Sequence, residues 1–83
     1  PWEQALIAAV RERHLAWRTE QTYRGWLWRF AGWLGKRPLA EAGGAEAREF
    51  LSHLAVRERL GVSAQRQALN ALVFHFRHAE GRE

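Results

Sequence analysis

The sequence contains no cysteine, no methionine and only two prolines among its 83 residues. The absence of cysteine excludes a disulfide framework and any cysteine-ligated metal site. No apolar run approaches the ~20 residues that a membrane-spanning helix needs. The first residues also lack the basic start and the cleavage site of a signal peptide. We therefore expect a soluble, cytoplasmic protein.

The chain starts at Pro1 and has no methionine, so we expect it to be a piece of a longer protein. Its length suffices for one small domain with a modest core, because such a chain buries only about 60 to 65% of its extended surface. Apolar residues make up 47% and charged residues 27% of the composition, which is typical of a folded chain. The sequence predicts a single domain over residues 1–83.

Basic residues are concentrated in one part of the sequence. Residues 18–37 carry five basic side chains and one acidic side chain, and this stretch accounts for the formal net charge of +4. A positive surface of this kind is typical of proteins that bind nucleic acid. A basic helix face that contacts only solvent has the same composition, so the charge alone leaves both interpretations open.

Helix start and stop signals predict four helices and no strands, and therefore an all-α fold. The first helix covers about residues 2–14, which contain no glycine or proline. The second covers about residues 19–34. Thr19 is its candidate N-cap, and Gly35 with Pro38 ends it.

Gly61 separates the third helix from the fourth. The third covers residues 45–59, and the fourth continues to about Ala79 with Ser63 as its candidate N-cap. Apolar residues of the fourth helix form a predicted core stripe: Ala68, Leu69, Leu72, Val73 and Phe76.

The second helix has two different faces, because each residue advances about 100° around the helix axis. Bulky apolar residues form a predicted core stripe: Tyr23, Trp26, Leu27, Phe30, Trp33 and Leu34. Trp28 lies on the opposite face with Gly25 and Gly32, and each glycine costs about 1 kcal/mol in a helix interior relative to alanine. One interpretation is that another backbone approaches the glycines, with Trp28 as the contact and Arg24 and Arg29 beside it. The other is that Trp28 lies flat on a neighbouring side chain and the glycines are merely tolerated.

The start of the fourth helix presents a polar face: Gln65, Arg66, Gln67 and Asn70. Glutamine, asparagine and arginine side chains can form bidentate hydrogen bonds to base edges in a major groove. Backbone N–H groups at the same helix end, together with Ser63, suit a phosphate. An ordinary solvated face has the same composition. Combined with the basic start of the second helix, however, this face indicates two helix N-termini that contact one duplex.

The sequence shows no catalytic or metal-binding motif. His75 and His78 are one helical turn apart, but Glu80 is their only nearby carboxylate and no HExxH or similar pattern is present. We expect His14 and His53 to lie at the boundary of the bundle. The sequence therefore predicts no metal, no cofactor and no independent enzyme.

Three stretches of the sequence resemble a known family: RTEQTYRGWLWRF, EAREFLSHLAV and VSAQRQALNALVF. They are similar to the N-terminal core-binding domain of tyrosine recombinases, the phage integrase family, and most closely to its integron-integrase branch. The resemblance covers about residues 14–77. It implies a four-helix, SAM-like orthogonal bundle that forms one half of a clamp around recombination-site DNA.

The resemblance further implies that the second and fourth helices lie over the major groove. It places DNA contacts at these positions: Arg18, Thr19, Gln21, Thr22, Gln65, Arg66, Gln67 and Asn70. Ser63 and Arg24 complete the expected set of contact residues. The partners that we expect are DNA, the catalytic domain of the same parent chain and other recombinase protomers assembled on DNA, and the isolated domain is expected to be a monomer.

The chemistry of the family lies in a separate C-terminal domain with a tyrosine nucleophile and an arginine-histidine-arginine pocket. The only tyrosine of this chain, Tyr23, lies on the predicted core stripe and cannot serve as that nucleophile. We therefore expect a DNA-binding module without catalytic activity of its own. A helical protein-interaction module that uses the face of Gly25, Trp28 and Gly32 is the alternative.

Overall fold

The computed structural model describes residues 2–82, which form four α-helices and two short helical turns and contain no strand. The helices are α1 (Trp2–Glu12), α2 (Trp17–Leu34), α3 (Gly44–Val56) and α4 (Val62–Phe74). A 3-10 turn at Leu39–Glu41 lies between α2 and α3, and a π-helical turn at His75–Ala79 continues α4. The predicted all-α, four-helix fold is confirmed. Pro1 and Glu83, the ends of the predicted domain, lie outside the described residues.

The hydrophobic core forms where the buried faces of all four helices meet. The residues that are almost fully buried are Leu6 and Val10 in α1, Leu27, Phe30 and Leu34 in α2, Phe50 and Leu54 in α3, and Ala68, Ala71 and Leu72 in α4. The ring of Phe30 lies 5.2 Å from that of Phe50 and 6.3 Å from that of Phe76, which are favourable distances for aromatic pairs. The core stripe predicted for α2 is confirmed, with Tyr23, Trp26 and Trp33 half-buried at its edges.

α2 begins at Trp17, earlier than predicted, and ends as predicted. Its N-cap residue is Ala16, so the prediction of Thr19 as the cap is wrong, and no side chain of the described residues caps this helix. The backbone is already helical before Thr19 is reached. At the other end Gly35 has a φ of 68°, and its N–H donates to the carbonyls of Ala31 and Gly32. A glycine in this position satisfies the last carbonyls of the helix and stops it.

α1 and α3 end slightly before their predicted ends, at Glu12 and Val56. His14 and Arg59 follow them with φ values of 56° and 54°. A right-handed helix cannot include a residue with a left-handed backbone conformation. The helical spacing of side chains in the sequence does not reveal such a backbone reversal.

α4 differs from its prediction in its start and in its buried face. Gly61 is the N-cap residue and no side chain caps the helix, so the prediction of Ser63 as the cap is wrong. Ser63 instead lies in the first turn. The predicted core stripe is also partly wrong, because Leu69 and Val73 are 42% and 40% exposed. The buried face is Ala68, Ala71, Leu72 and His75, which has helical spacing too but contains small and polar residues.

The segment after the π-helical turn folds back onto the bundle. His75 is fully buried, and its Nε2 lies 2.9 Å from a carboxylate oxygen of Glu80. Arg82 pairs with Glu80 and donates to the carbonyl oxygens of Ala42 and Ala40 at 2.6 and 2.8 Å. Its guanidinium also lies 4.7 Å from the ring centre of Phe76. These contacts fasten the end of the described chain to the loop between α2 and α3.

The buried His75 makes the stability of the domain depend on pH. Burial lowers the pKa of His75, and the nearby Glu80 carboxylate opposes this only in part. The unfolded chain therefore binds a proton more readily than the folded one, so stability is full above a pH of about 6.5 and falls below it. We therefore expect Tm to be lower at about pH 5.5 than at about pH 7.5.

Thermal unfolding followed by circular dichroism at several pH values measures this dependence. His75→Phe is expected to reduce the pH dependence, because it removes the buried imidazole and keeps an apolar ring in the same place. Burial and the nearby Arg13 and Arg77 also lower the pKa of His78, so this histidine retains a dependence of the same sign. His14→Asn, in the exposed turn after α1, is the control and should retain the full pH dependence. A Tm that stays constant in the wild type over this range contradicts the assignment of a neutral, buried imidazole.

Candidate nucleic-acid interface

The start of α2 carries the first group of predicted DNA contacts. Arg18 is exposed and has no carboxylate partner within residues 2–82. Three further residues of the group are half-buried: Thr19, Gln21 and Thr22. Because no side chain caps the helix, the first N–H groups of α2 have no side-chain acceptor. This helix end therefore combines an unpaired guanidinium with uncapped peptide donors.

Arg24 is held by α1 and does not project freely from α2. Its Nε and Nη2 donate to one carboxylate oxygen of Glu3 at 3.0 and 2.8 Å. Trp28 donates from its indole nitrogen to the same oxygen at 2.9 Å. The hydrogen bonds from Trp28 and Arg24 lower the pKa of Glu3, so this carboxylate is ionised and offsets the charge of Arg24 at neutral pH. Arg24 thus connects α2 to α1.

Ion pairs with other parts of the chain reduce the positive charge of α2. Besides Arg24, Arg29 is paired, in this case with Glu58 in the segment after α3. Glu20, the one acidic residue between positions 18 and 37, is buried and accepts hydrogen bonds from Arg11 of α1 at 3.1 and 3.4 Å, so it neutralises no cation of α2. Three cations of residues 18–37 have no carboxylate partner in the described chain, and they lie at the two ends of this stretch: Arg18 at the start, and Lys36 and Arg37 at the end. The predicted positive region is therefore divided, because carboxylates from distant segments neutralise its middle.

The remaining predicted contacts lie on α4. Four of them are exposed: Ser63, Arg66, Gln67 and Asn70. Arg66 has no carboxylate partner in the described range. Gln65 differs from the others, since it is half-buried and donates from its amide to the carbonyl of Leu60 at 2.9 Å. Residues 62–79 include no acidic residue, so α4 and the turn that continues it carry only neutral or positive side chains.

α2 and α4 meet at Tyr23, whose ring lies 5.1 Å from that of Phe74. An open groove of about 290 Å³ runs beside this contact, with Asn70 among its lining residues. Tyr23 of α2 and Asn70 of α4 both line this groove. Thr19 lies four residues before Tyr23, and Arg66 lies four residues before Asn70, so each is one turn away on the same face of its helix. Predicted contact residues from both helices therefore lie about one turn, or ~6 Å, from a shared groove.

Trp28 is 55% exposed, and its ring meets that of Trp2 edge to face at a centroid distance of 5.1 Å. It thus packs on a neighbouring side chain, as one of the two interpretations predicts, although the two rings cross at 69° and do not lie flat on each other. A Cβ added at Gly25 or Gly32 meets no atom within 4 Å. No backbone from residues 2–82 approaches the glycines.

The histidines do not form a cluster of possible metal ligands. His78 packs against Phe74, and His53 is half-buried beside Glu58. Within residues 2–82 no three His, Cys, Asp or Glu side chains come close enough to hold a metal ion. The same residues include no helix with the length and hydropathy needed to cross a membrane.

Comparison with known proteins identifies the family of the chain. The family model described as the phage integrase N-terminal SAM-like domain matches residues 2–83. The chain belongs to this family. Two curated relatives, each named integrase/recombinase, come from Escherichia coli and Pseudomonas aeruginosa. Each is 42% identical over 71 residues, which make up 86% of this chain but only 21% of the relative. No solved structure matches this chain significantly.

This match to the family model confirms the resemblance to the N-terminal domain of phage integrases, and the SAM-like description agrees with the four-helix bundle. The chain spans about a fifth of the length of the curated relatives it matches. One residue that shapes the site was missed by sequence reasoning. Glu3 fixes Arg24 and Trp28 but is more than 20 residues away from both, and no local pattern marks such a pairing.

Proposed function

We propose that this domain binds recombination-site DNA for a site-specific tyrosine recombinase, and that α2 and α4 make the contacts. The observation that carries the proposal is the exposed face of α4. It presents Arg66 and Asn70, includes no acidic residue, and borders the groove beside Tyr23 where α2 and α4 meet. A major groove is about 12 Å wide and admits one α-helix, so a positive, hydrogen-bonding helix face suits it.

The contact residues have different parts in this proposal. Arg18 and Arg66 neutralise phosphates, while Gln67 and Asn70 form hydrogen bonds to base edges. Thr19, Gln21, Thr22 and Ser63 accompany the uncapped N–H groups of the two helix starts, which suit phosphate oxygens. Arg24 and Gln65 support the interface from within, because their donors are engaged with Glu3 and with the carbonyl of Leu60.

The parent protein supplies the chemistry in this proposal. A separate catalytic domain carries the tyrosine nucleophile, and Tyr23 is unsuited to that role because it is half-buried against Phe74. The name integrase/recombinase and the greater length of the two relatives support a parent of this kind. We place the parent in the integron-integrase branch on the three sequence stretches that resemble it. It acts in the cytoplasm together with other protomers on DNA, whereas the isolated domain is a monomer.

Replacement of Arg18 or Arg66 by alanine tests the proposal. Each substitution is expected to weaken binding to a labelled duplex about eightfold at 0.1 M salt, which is the counterion-release contribution of one phosphate contact. Tm should change little, because both side chains are exposed and have no carboxylate partner in the described chain. Fluorescence anisotropy measures the affinity, and circular dichroism measures Tm.

Arg48→Ala is the matched control. Arg48 is an exposed arginine on α3 that likewise has no carboxylate partner within residues 2–82, and it lies on neither proposed face. Its removal lowers the net charge by the same amount and should leave affinity close to that of the wild type. If Arg48→Ala weakens binding as strongly as Arg18→Ala does, attraction by net charge explains the binding and the assigned interface is wrong.

A second candidate function is supported by the face of Gly25, Trp28 and Gly32. Both glycines have open space where a side chain would lie, and Trp28 is more than half exposed between them. Such a surface allows the backbone of a partner helix to approach closely. In that case the domain is a protein-interaction module, and substitution of the glycines should abolish the interaction.

A further inference from the structure

The outer face of α4 is not the purely polar face that the sequence predicts. Six residues are exposed there, and we call them the α4 outer stripe: Val62, Arg66, Leu69, Asn70, Val73 and Arg77. At 100° per residue they fall within about 100° of the helix circumference. The opposite face holds the buried Ala68, Ala71, Leu72 and His75. The α4 outer stripe is therefore a distinct surface.

Leu69 and Val73 form the apolar centre of the α4 outer stripe. They are one helical turn apart, and they line the groove that also contains the half-buried rings of Tyr23 and Phe74. Arg66 and Arg77 lie one turn further along the helix on either side. Neither arginine has a carboxylate partner in the described part of the chain. The stripe thus places apolar side chains between two unpaired cations.

Charge favours an anionic partner for this surface. Among residues 2–82 no acidic side chain lines the groove, and the guanidinium of Arg13 adds a further positive charge 5.9 Å from the ring centre of Phe74. A second copy of the chain would bring the same cations to the contact, and like charges oppose such pairing. A DNA major groove has phosphates along its edges and the 5-methyl groups of thymine on its floor, which complements both parts of the stripe.

We propose that Leu69 and Val73 contact thymine 5-methyl groups and give the domain a preference for thymine at defined positions of its site. Asn70, which is next to Leu69 in sequence and on the same stripe, forms hydrogen bonds to a neighbouring base edge. Arg66 and Arg77 contact the phosphates on either side. This inference rests on the proposed DNA-binding function and assigns part of its sequence specificity.

Exchange of thymine for deoxyuridine tests the inference, because it removes only the methyl group and keeps every hydrogen-bonding group. A duplex pool with randomised central positions is first selected on the wild-type domain. The best-bound duplex is then synthesised with deoxyuridine at one thymine at a time, and affinities are measured by anisotropy. We expect a loss of about fourfold at one or more positions, as for one buried methyl-sized group.

Leu69→Ala and Val73→Ala identify which side chain contacts the thymine methyl group. At least one of them should bind the thymine and deoxyuridine duplexes with nearly equal affinity. The control Val56→Ala, which shortens an exposed valine on α3, outside the α4 outer stripe, should retain the fourfold difference. Both stripe variants should keep the wild-type Tm within a few degrees, since the side chains that they shorten are partly exposed.

The possible outcomes separate this inference from the proposed function. If duplexes bind with the expected salt dependence but deoxyuridine has no effect at any position, the methyl contact is wrong and DNA binding stands. If the thymine preference persists in both stripe variants, other residues read the methyl group and the inference fails. If the wild-type domain binds no duplex at low salt, both proposals fail. Dimers in sedimentation that Leu69→Ala dissociates also overturn the inference, because the stripe is then a protein interface.

Discussion

Phe30→Ala is expected to unfold the domain or to bring it close to unfolding at room temperature. Phe30 is fully buried, and its ring packs against those of Trp33, Phe50 and Phe76, so it joins α2 to α3 and to the turn after α4. Truncation of a buried phenylalanine to alanine costs about 3 to 5 kcal/mol. A small domain has only about 5 to 15 kcal/mol of total stability, so this loss removes much of it.

Urea unfolding followed by circular dichroism measures this loss. Val56→Ala is the control, because Val56 is 68% exposed on α3 and its truncation should change the unfolding free energy by no more than about 0.5 kcal/mol. Trp26 is a weaker test than Phe30, since it is only half-buried, with the Arg29 guanidinium 4.8 Å from its ring centre. A Phe30→Ala variant that loses less than about 1 kcal/mol contradicts the central position of this ring.

Gly25→Ala combined with Gly32→Ala is expected to stabilise the domain. Both glycines lie in the interior of α2, and a Cβ at either position meets no atom within 4 Å. Alanine is favoured over glycine in a helix by about 1 kcal/mol per position, so the pair should contribute about 2 kcal/mol. For a domain of this size, that raises Tm by about 8 to 16 °C.

Gly35→Ala is the matched control for this stabilisation. A Cβ at Gly35 also meets no atom within 4 Å, but the positive φ at that position is strained for any residue with a side chain. We expect Gly35→Ala to destabilise the domain by about 1 to 2 kcal/mol. Thermal unfolding by circular dichroism compares the three proteins. If the double variant is no more stable than the wild type, the description of an open, exposed glycine face is wrong.

The same double variant distinguishes the two candidate functions. If α2 and α4 bind DNA through the proposed residues, it should bind duplex as tightly as the wild type. If it is more stable but binds duplex much more weakly, the nucleic acid approaches the face of Trp28, and the assignment of the interface is wrong. If the domain is a protein-interaction module that uses this face, the double variant should lose its partner, because the added methyl groups prevent close backbone approach.

The four helices and the core of α2 could be predicted from the sequence because their signals are local. Tyr23, Phe30 and Leu34 repeat at helical spacing, and Gly35 with Pro38 marks the end of the helix. The starts were less predictable. The helices α2 and α4 begin before their Thr and Ser residues, and neither helix has a side-chain cap that would mark its first residue.

The buried face of α4 could not be predicted with the same certainty, because the helix has more apolar residues than one face can hold. A stripe through Leu69 and Val73 and a stripe through Ala71 and His75 both have helical spacing. Packing against the other helices selects the second, which places a histidine in the core and leaves Leu69 and Val73 exposed. The spacing of residues in the sequence does not show which of the two stripes packs against the other helices.

The sequence indicates which residue types could contact DNA, but it does not show which of these side chains are already paired with other parts of the chain. The exposed positions of Arg18, Arg66, Gln67 and Asn70 agree with the helical faces derived from the sequence. Arg24 is different because its partner, Glu3, comes from another helix, and a count of charges along the sequence cannot show this neutralisation. Such pairing depends on how α1 crosses α2.

The salt dependence of duplex affinity tests most directly the central claim that α2 and α4 neutralise DNA phosphates. Each phosphate contact contributes about 0.9 to the slope of log affinity against log salt. The slope of the wild type should therefore be steeper by about 1.8 than that of a variant with both Arg18→Ala and Arg66→Ala, whereas Arg48→Ala should keep the wild-type slope. Equal slopes in the wild type and the double variant, or an affinity that does not decline as salt rises, contradict the account.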